Sequence, residues 1–160
     1  ESGTLLAIAP QPDIFMRLQA NFALNPEIRE RLKIEIINSA LGAEHGTLEL
    51  SLPGGAGLAS ARGFEDAPSI EVPMAPLNEL LIQYELSRID ILKIDVEGFE
   101  DEIIFPFFET ATKEKWPSSI VMEYCNRHRW ERDCEELLTR KGYLVAHKDK
   151  ANIVLSQQDS

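Results

Sequence analysis

The chain reads as an α/β protein: a Rossmann-like sheet, mostly parallel, closed by a C-terminal antiparallel hairpin. Three observations predict it. Apolar runs of strand length alternate with stretches whose apolar residues recur at helical spacing, the pattern of a parallel sheet crossed over by helices. Residues 89–96 are apolar except at Asp90, Lys93 and Asp95, and they lead through Gly98 into a helix-like segment. Two further apolar runs, 143–147 and 152–156, flank the turn Lys148-Asp149-Lys150 and read as a hairpin.

Element by element, residues 4–9 (TLLAIA) form a buried strand stopped by Pro10-Gln11-Pro12. Pro12 suits a first helical position and Asp13 the first turn, so a helix with Ile14, Phe15, Leu18 and Phe22 on one face follows, ending at Asn25-Pro26. Residues 33–39 are a second strand, and Leu41-Gly42 and His45-Gly46 are turns. Residues 47–52 alternate, with Leu48, Leu50 and Leu52 on one face, as a half-exposed antiparallel strand does. The glycine-rich residues 53–63 are expected to be a mobile loop, either a lid or a simple connection. Residues 70–74 are a strand that Pro73 assigns to an edge. Leu77, Leu80, Leu81 and Tyr84 mark a helix, and Ile103, Ile104, Phe107, Phe108 and Ala111 mark another, which Pro106 should kink or split. Residues 119–124 are a strand and 130–141 a helix, with Gly142 at its C-terminal cap. Trp130, Phe107 and Phe108 are core candidates.

The 160 residues suit one domain spanning 1–160. The formal net charge of -11 opposes nucleic acid and anionic lipid, so neither is expected as a partner. No apolar stretch reaches membrane-spanning length, and no basic-then-apolar leader is seen, so no membrane association is expected. Two cysteines, Cys125 and Cys134, fit a reducing, cytoplasmic setting. Their spacing with His128 matches no zinc pattern, so no metal is expected there. The glycines of 54–60 open no helix and precede no Gly-Lys-Ser, so they form no phosphate-binding loop.

In a parallel sheet, ligands bind beyond the carboxyl ends of the strands where strand order reverses. Asp95 and Glu97 stand at such an end, where a carboxylate faces a crevice and not the core. Residues 90–100, DILKIDVEGFE, resemble the D-x-L-K-I-D-V-E-G-x-E signature of FkbM-type methyltransferases. Ala7-Ile8-Ala9-Pro10-Gln11-Pro12 is similar to that family's A-F-E-P-x-P, and Leu24-Asn25 to the asparagine closing its next helix. Ser39-Ala40-Leu41-Gly42 with Gly46-Thr47-Leu48-Glu49-Leu50, Val72-Pro73 through Leu77-Asn78, and Val121-Met122-Glu123 resemble further segments. The resemblance covers nearly the whole chain, and the long signature is its most specific part.

The resemblance implies S-adenosylmethionine as cofactor and O-methylation of a small-molecule or sugar hydroxyl. It implies Asp95, Glu97 and Lys93 as catalytic candidates and Pro10, Gln11, Ser39, Ala40 and Asp95 as cofactor-binding candidates. Bland readings stand beside these. Lys93 and Glu100 serve equally as a strand ion pair and a helix-start carboxylate, Ser39 as a backbone partner, and Glu123 as a partner of Arg127 or Arg129. Ala9 replaces the acidic residue expected to hold a ribose. The family's first strand, with its glycine-rich turn, belongs before Thr4, so an N-terminally incomplete, truncated domain is expected. Its second and fourth strands should then pair directly, or a second copy should fill the gap as a homodimer. The alternative function is a degenerate or truncated methyltransferase fold acting as a non-catalytic binding or assembly module.

Overall fold

The computed structural model describes residues 3–52, 60–63 and 67–158. Gly3–Ile8 (β1) runs through Pro12–Leu24 (α1) and Pro26–Arg31 (α2) to Leu32–Ile37 (β2), which pairs with β1 in parallel. The sequence reading lacked α2. Asn25 leaves the helical region and Pro26, with its fixed φ and no N–H to lose, starts a new helix. Ala40–Leu41 (β3), Gly46–Ser51 (β4) and Ser69–Ala75 (β5) form a three-stranded sheet ordered β3-β5-β4. Leu77–Gln83 (α3), Ile91–Ile94 (β6), Asp101–Thr110 (α4), Ser119–Glu123 (β7), Cys134–Arg140 (α5), Tyr143–Lys148 (β8) and Asn152–Gln157 (β9) complete the order. The last sheet is β6-β7-β9-β8, with β6 and β7 parallel and the other pairs antiparallel.

The α/β class and the closing hairpin hold, but the expectation of a mostly parallel sheet does not. Among the described residues three strand pairs are parallel and three antiparallel, spread over three sheets. Among the described residues β1 pairs only with β2, and β6 only with β7, so the expected direct pairing of β1 with β6 is not formed. β5 is the middle strand of its sheet, not an edge. Pro73 is tolerated because β3 pairs only with Met74 and Ala75, leaving no ladder partner at Pro73 on that side. Pro106 does not split α4; the Thr110 hydroxyl donates to the Pro106 carbonyl at 2.8 Å. The helix expected from residue 130 begins at Cys134, where Asp133 accepts the Glu136 N–H at 3.0 Å. Arg127–Arg129 is instead a short 3-10 turn. Gly142 caps α5 with φ of 96°, a left-handed conformation that suits glycine.

The core forms because β7 and β9 alternate. Ile120, Met122, Ile153 and Leu155 point to one face and are fully buried beneath Ile103, Ile104, Phe107 and Phe108 of α4. Each such side chain contributes about 1.5–3 kcal/mol by leaving water. Phe108 meets Tyr143 edge-on at 5.8 Å, and the Tyr143 hydroxyl donates to the Pro117 carbonyl at 2.6 Å. A smaller cluster of Ala40, Leu50 and Val72 holds the second sheet. Of the glycine-rich loop, residues 53–59 lie outside the described residues, so its reading as a lid or connection falls there. Ser60, however, is buried and bridges back to Ser51, which ties the end of that segment to β4.

Candidate functional site

β6 ends at Ile94, and the chain turns through Asp95–Phe99 before α4 begins. Glu97 and Gly98 have φ of 55° and 91°. The first is a left-handed glutamate, a strained state. Gly98 is required twice over: by its φ, and because a Cβ there would sit 2.9 Å from the Arg129 stem. Glu100, fully buried, fastens the turn from below. Its carboxylate accepts the Val96 and Gly98 N–H groups at 3.2 and 3.3 Å and the Trp130 indole N–H at 2.6 Å. Burial pushes the Glu100 carboxyl up, while those hydrogen bonds pull it down. Asp101, also fully buried, accepts Arg62 Nη2 at 2.8 Å and the Glu131 and Arg132 N–H groups at 2.8 and 3.2 Å. Glu100 stands at the start of the helix, as its sequence position predicts, but its side chain serves the turn before it.

This frame presents Glu97 beside two other carboxylates. Oxygens of Asp95, Glu97 and Glu123 lie within 4.8 Å of one another. Asn126 Nδ2 donates to Glu97 at 2.9 Å and to Glu123 at 3.2 Å, joining the ends of β6 and β7. Glu97 titrates above the ordinary glutamate range: burial raises it first, then the charges of Glu123, Asp95 and Glu100, against the Asn126 hydrogen bond. Lys93 Nζ lies 2.8 Å from Asp95, both exposed, so the pair contributes about 0–1 kcal/mol. Cys125 donates to Glu123 at 3.0 Å, and this bond first, then desolvation and the neighbouring charges, pushes its thiol up to about 11. Tyr124 lies between Arg127 and Lys148, whose charged groups stand 4.3 and 4.4 Å from its ring centre. The three carboxylates are close enough to face one cation together, whether an ammonium, a sulfonium or a metal ion, and Glu97 is placed to accept a proton.

The other expected residues gather elsewhere. Pro10 and Gln11 follow β1, and Ser39 and Ala40 follow β2. Asn38 Nδ2 donates to the carbonyls of Ala9 and Pro10, both at 2.9 Å, tying these two ends together. Ser39 is buried and its hydroxyl donates to the Ala40 and Pro73 carbonyls, so its backbone-satisfying reading is realised. Ala40 belongs to β3 and is buried. Among the described residues no hydrogen bond joins this group to Lys93, Asp95 or Glu97. Asn38 was legible in principle, as a polar residue closing an apolar strand. Two surface hollows, one lined by Gly42, Pro76 and Phe107 and one by Ile28 and Leu32, include none of Asp95, Glu97 and Glu123.

The likeness carried by the signature at the β6 end extends over most of the chain. A model of the methyltransferase FkbM domain matches residues 1–145. The chain belongs to the FkbM methyltransferase family. It is 25% identical over 166 residues to "Methyltransferase 1" of Beauveria bassiana (strain ARSEF 2860), covering 89% of this chain and 64% of that protein. To "Methyltransferase sdnD" of Sordaria araneosa it is 27% identical over 180 residues, covering 92% of this chain and 66% of that protein. This FkbM-family chain thus spans about two thirds of the length of these curated relatives. No solved structure matches it.

Proposed function

We propose that this FkbM-family chain is the S-adenosylmethionine-dependent methyltransferase domain of an enzyme that methylates a hydroxyl of a small molecule or sugar. The observation that supports this reading most is the placement of Glu97: strained, partly desolvated, and grouped with Asp95 and Glu123 at the carboxyl end of β6. The donor set suits the cationic end of S-adenosylmethionine, since clustered carboxylates favour a positive charge. S-adenosylmethionine, when bound, supplies an electrophilic methyl group on its sulfonium. Asp95 and Glu123 would face the positive charge, and Glu97 would accept the hydroxyl proton as the oxygen gains the methyl group. The raised Glu97 midpoint suits that role, because a carboxylate with a higher pKa is a stronger base. Pro10, Gln11 and Ala40 would border the rest of the cofactor at the ends of β1 and β2, with Lys93 holding Asp95 in place.

Ala9 supports the second reading, a non-catalytic module. It is buried at the end of β1 and offers no acceptor to ribose hydroxyls. Calorimetric titration of S-adenosylmethionine into the chain separates the two. Saturable heat, weakened by Glu97→Gln, fits the enzyme; absence of heat at millimolar ligand leaves the module.

A further inference from the structure

Ser60 is 1% exposed and far in sequence from the turn it touches. Its hydroxyl donates to the Glu97 carbonyl at 3.3 Å and accepts the Arg62 N–H and Arg129 Nη1, both at 3.2 Å. Arg129 Nη1 also reaches the Glu97 carbonyl at 3.1 Å, and its Nη2 reaches the Gly63 carbonyl at 2.9 Å. Arg62 Nε donates to the Gly98 carbonyl at 3.3 Å, while its Nη2 is anchored on Asp101. Both carbonyls of the left-handed pair are therefore held by donors from two other parts of the chain. None of the bonds just named is made to the Glu97 carboxylate itself.

We infer that Ser60, Arg62 and Arg129 are positioning residues that hold Glu97 in its left-handed conformation and thereby aim its carboxylate at Asp95, Glu123 and Asn126. The inference deepens the methyltransferase reading and rests on it only for what the aimed carboxylate does. A glutamate released from these bonds returns to the right-handed or extended backbone that L-residues favour. Its side chain then leaves the cluster. The fixed fork of Arg129 matters more than its charge, because it spans the Glu97 and Gly63 carbonyls at once, which a lysine ammonium does not reproduce.

The test is an NMR titration of the Glu97 side-chain carboxyl carbon in the full chain, comparing wild type with Ser60→Ala and Arg129→Lys. The charges acting on the Glu97 carboxyl are those of Glu123, Asp95 and Glu100, and both substitutions keep them as well as the positive charge at residue 129 beside the Glu97 carbonyl. Held in place, Glu97 titrates high because burial and neighbouring carboxylates oppose its ionisation. The expected result is a downward shift of its midpoint in both variants, with the core amide spectrum retained. Unchanged midpoints in the folded variants overturn the inference. Arg129→Lys decides alone where Ser60→Ala loses its fold. A wild-type chain that binds no S-adenosylmethionine, while the midpoint still shifts in the variants, overturns the methyl-transfer reading and leaves the positioning role standing.

Discussion

Glu97 combines three unfavourable features: a left-handed backbone, partial burial, and two carboxylates for neighbours. Such a residue persists because other contacts hold it there. Its raised midpoint means that the folded chain holds this proton more tightly than the unfolded chain, so Glu97 weakens stability as pH rises through that midpoint. Glu97→Gln is expected to raise the melting temperature at neutral pH, with the gain vanishing below the ordinary glutamate range, and to weaken S-adenosylmethionine binding. Thermal melts across pH check the first effect; an unchanged melting temperature at neutral pH argues against the strained carboxylate. Gly98→Ala carries the opposite sign, adding left-handed strain and a clash with Arg129, and is expected to lower stability by about 2–3 kcal/mol in urea unfolding. That Asp95, Glu97 and Gly98 close a strand was legible from the apolar run. That Glu123 and Asn126 converge on them was not, because strand pairing brings together residues whose separation leaves no local pattern.

The elements departed from the sequence reading where short-range chemistry competes with periodicity. A two-residue strand such as β3 has no pattern to read, and α2 begins at a proline that also ends α1. α5 starts late because Asp133 is a better cap than any residue nearer Trp130, and the Trp130 indole is committed to Glu100. Asp133→Ala is expected to cost about 1 kcal/mol in denaturant unfolding. α3 ends with the Leu86 N–H on the Leu81 carbonyl and the Glu85 N–H on the Ile82 carbonyl, which places Glu85 at φ of 56°. Glycine fits that position without the side-chain penalty, so Glu85→Gly is expected to raise stability by about 1 kcal/mol; a loss in the same assay would contradict the cap. Strained Glu85 lies at a helix end, whereas strained Glu97 lies among carboxylates, so only the second belongs to the proposed ligand site.

Across the whole molecule, burial is uneven. α4 covers one face of β7 and β9 with fully buried side chains, while β1, β2, α1 and α2 contain no fully buried residue. Amides of β1 and β2 are therefore expected to exchange with deuterium before those of β7 and β9; equal protection would contradict this ranking. Among the described residues the outer edges of β1 and β6 have no strand partner; we propose that a second copy docks there, and sedimentation velocity checks it, since a monomer at high concentration removes that partner. The fold class was legible because alternating strands and helices leave a periodic trace. The division into three sheets was not, because pairing direction is set by tertiary neighbours. The most direct test of the account is an amide chemical-shift map recorded as S-adenosylmethionine is added. The largest changes are expected at Asp95 to Gly98 and Asn126, with smaller ones at Gln11 and Ala40. Changes centred on the Gly42–Pro76 hollow, with the carboxylate turn unmoved, would contradict it.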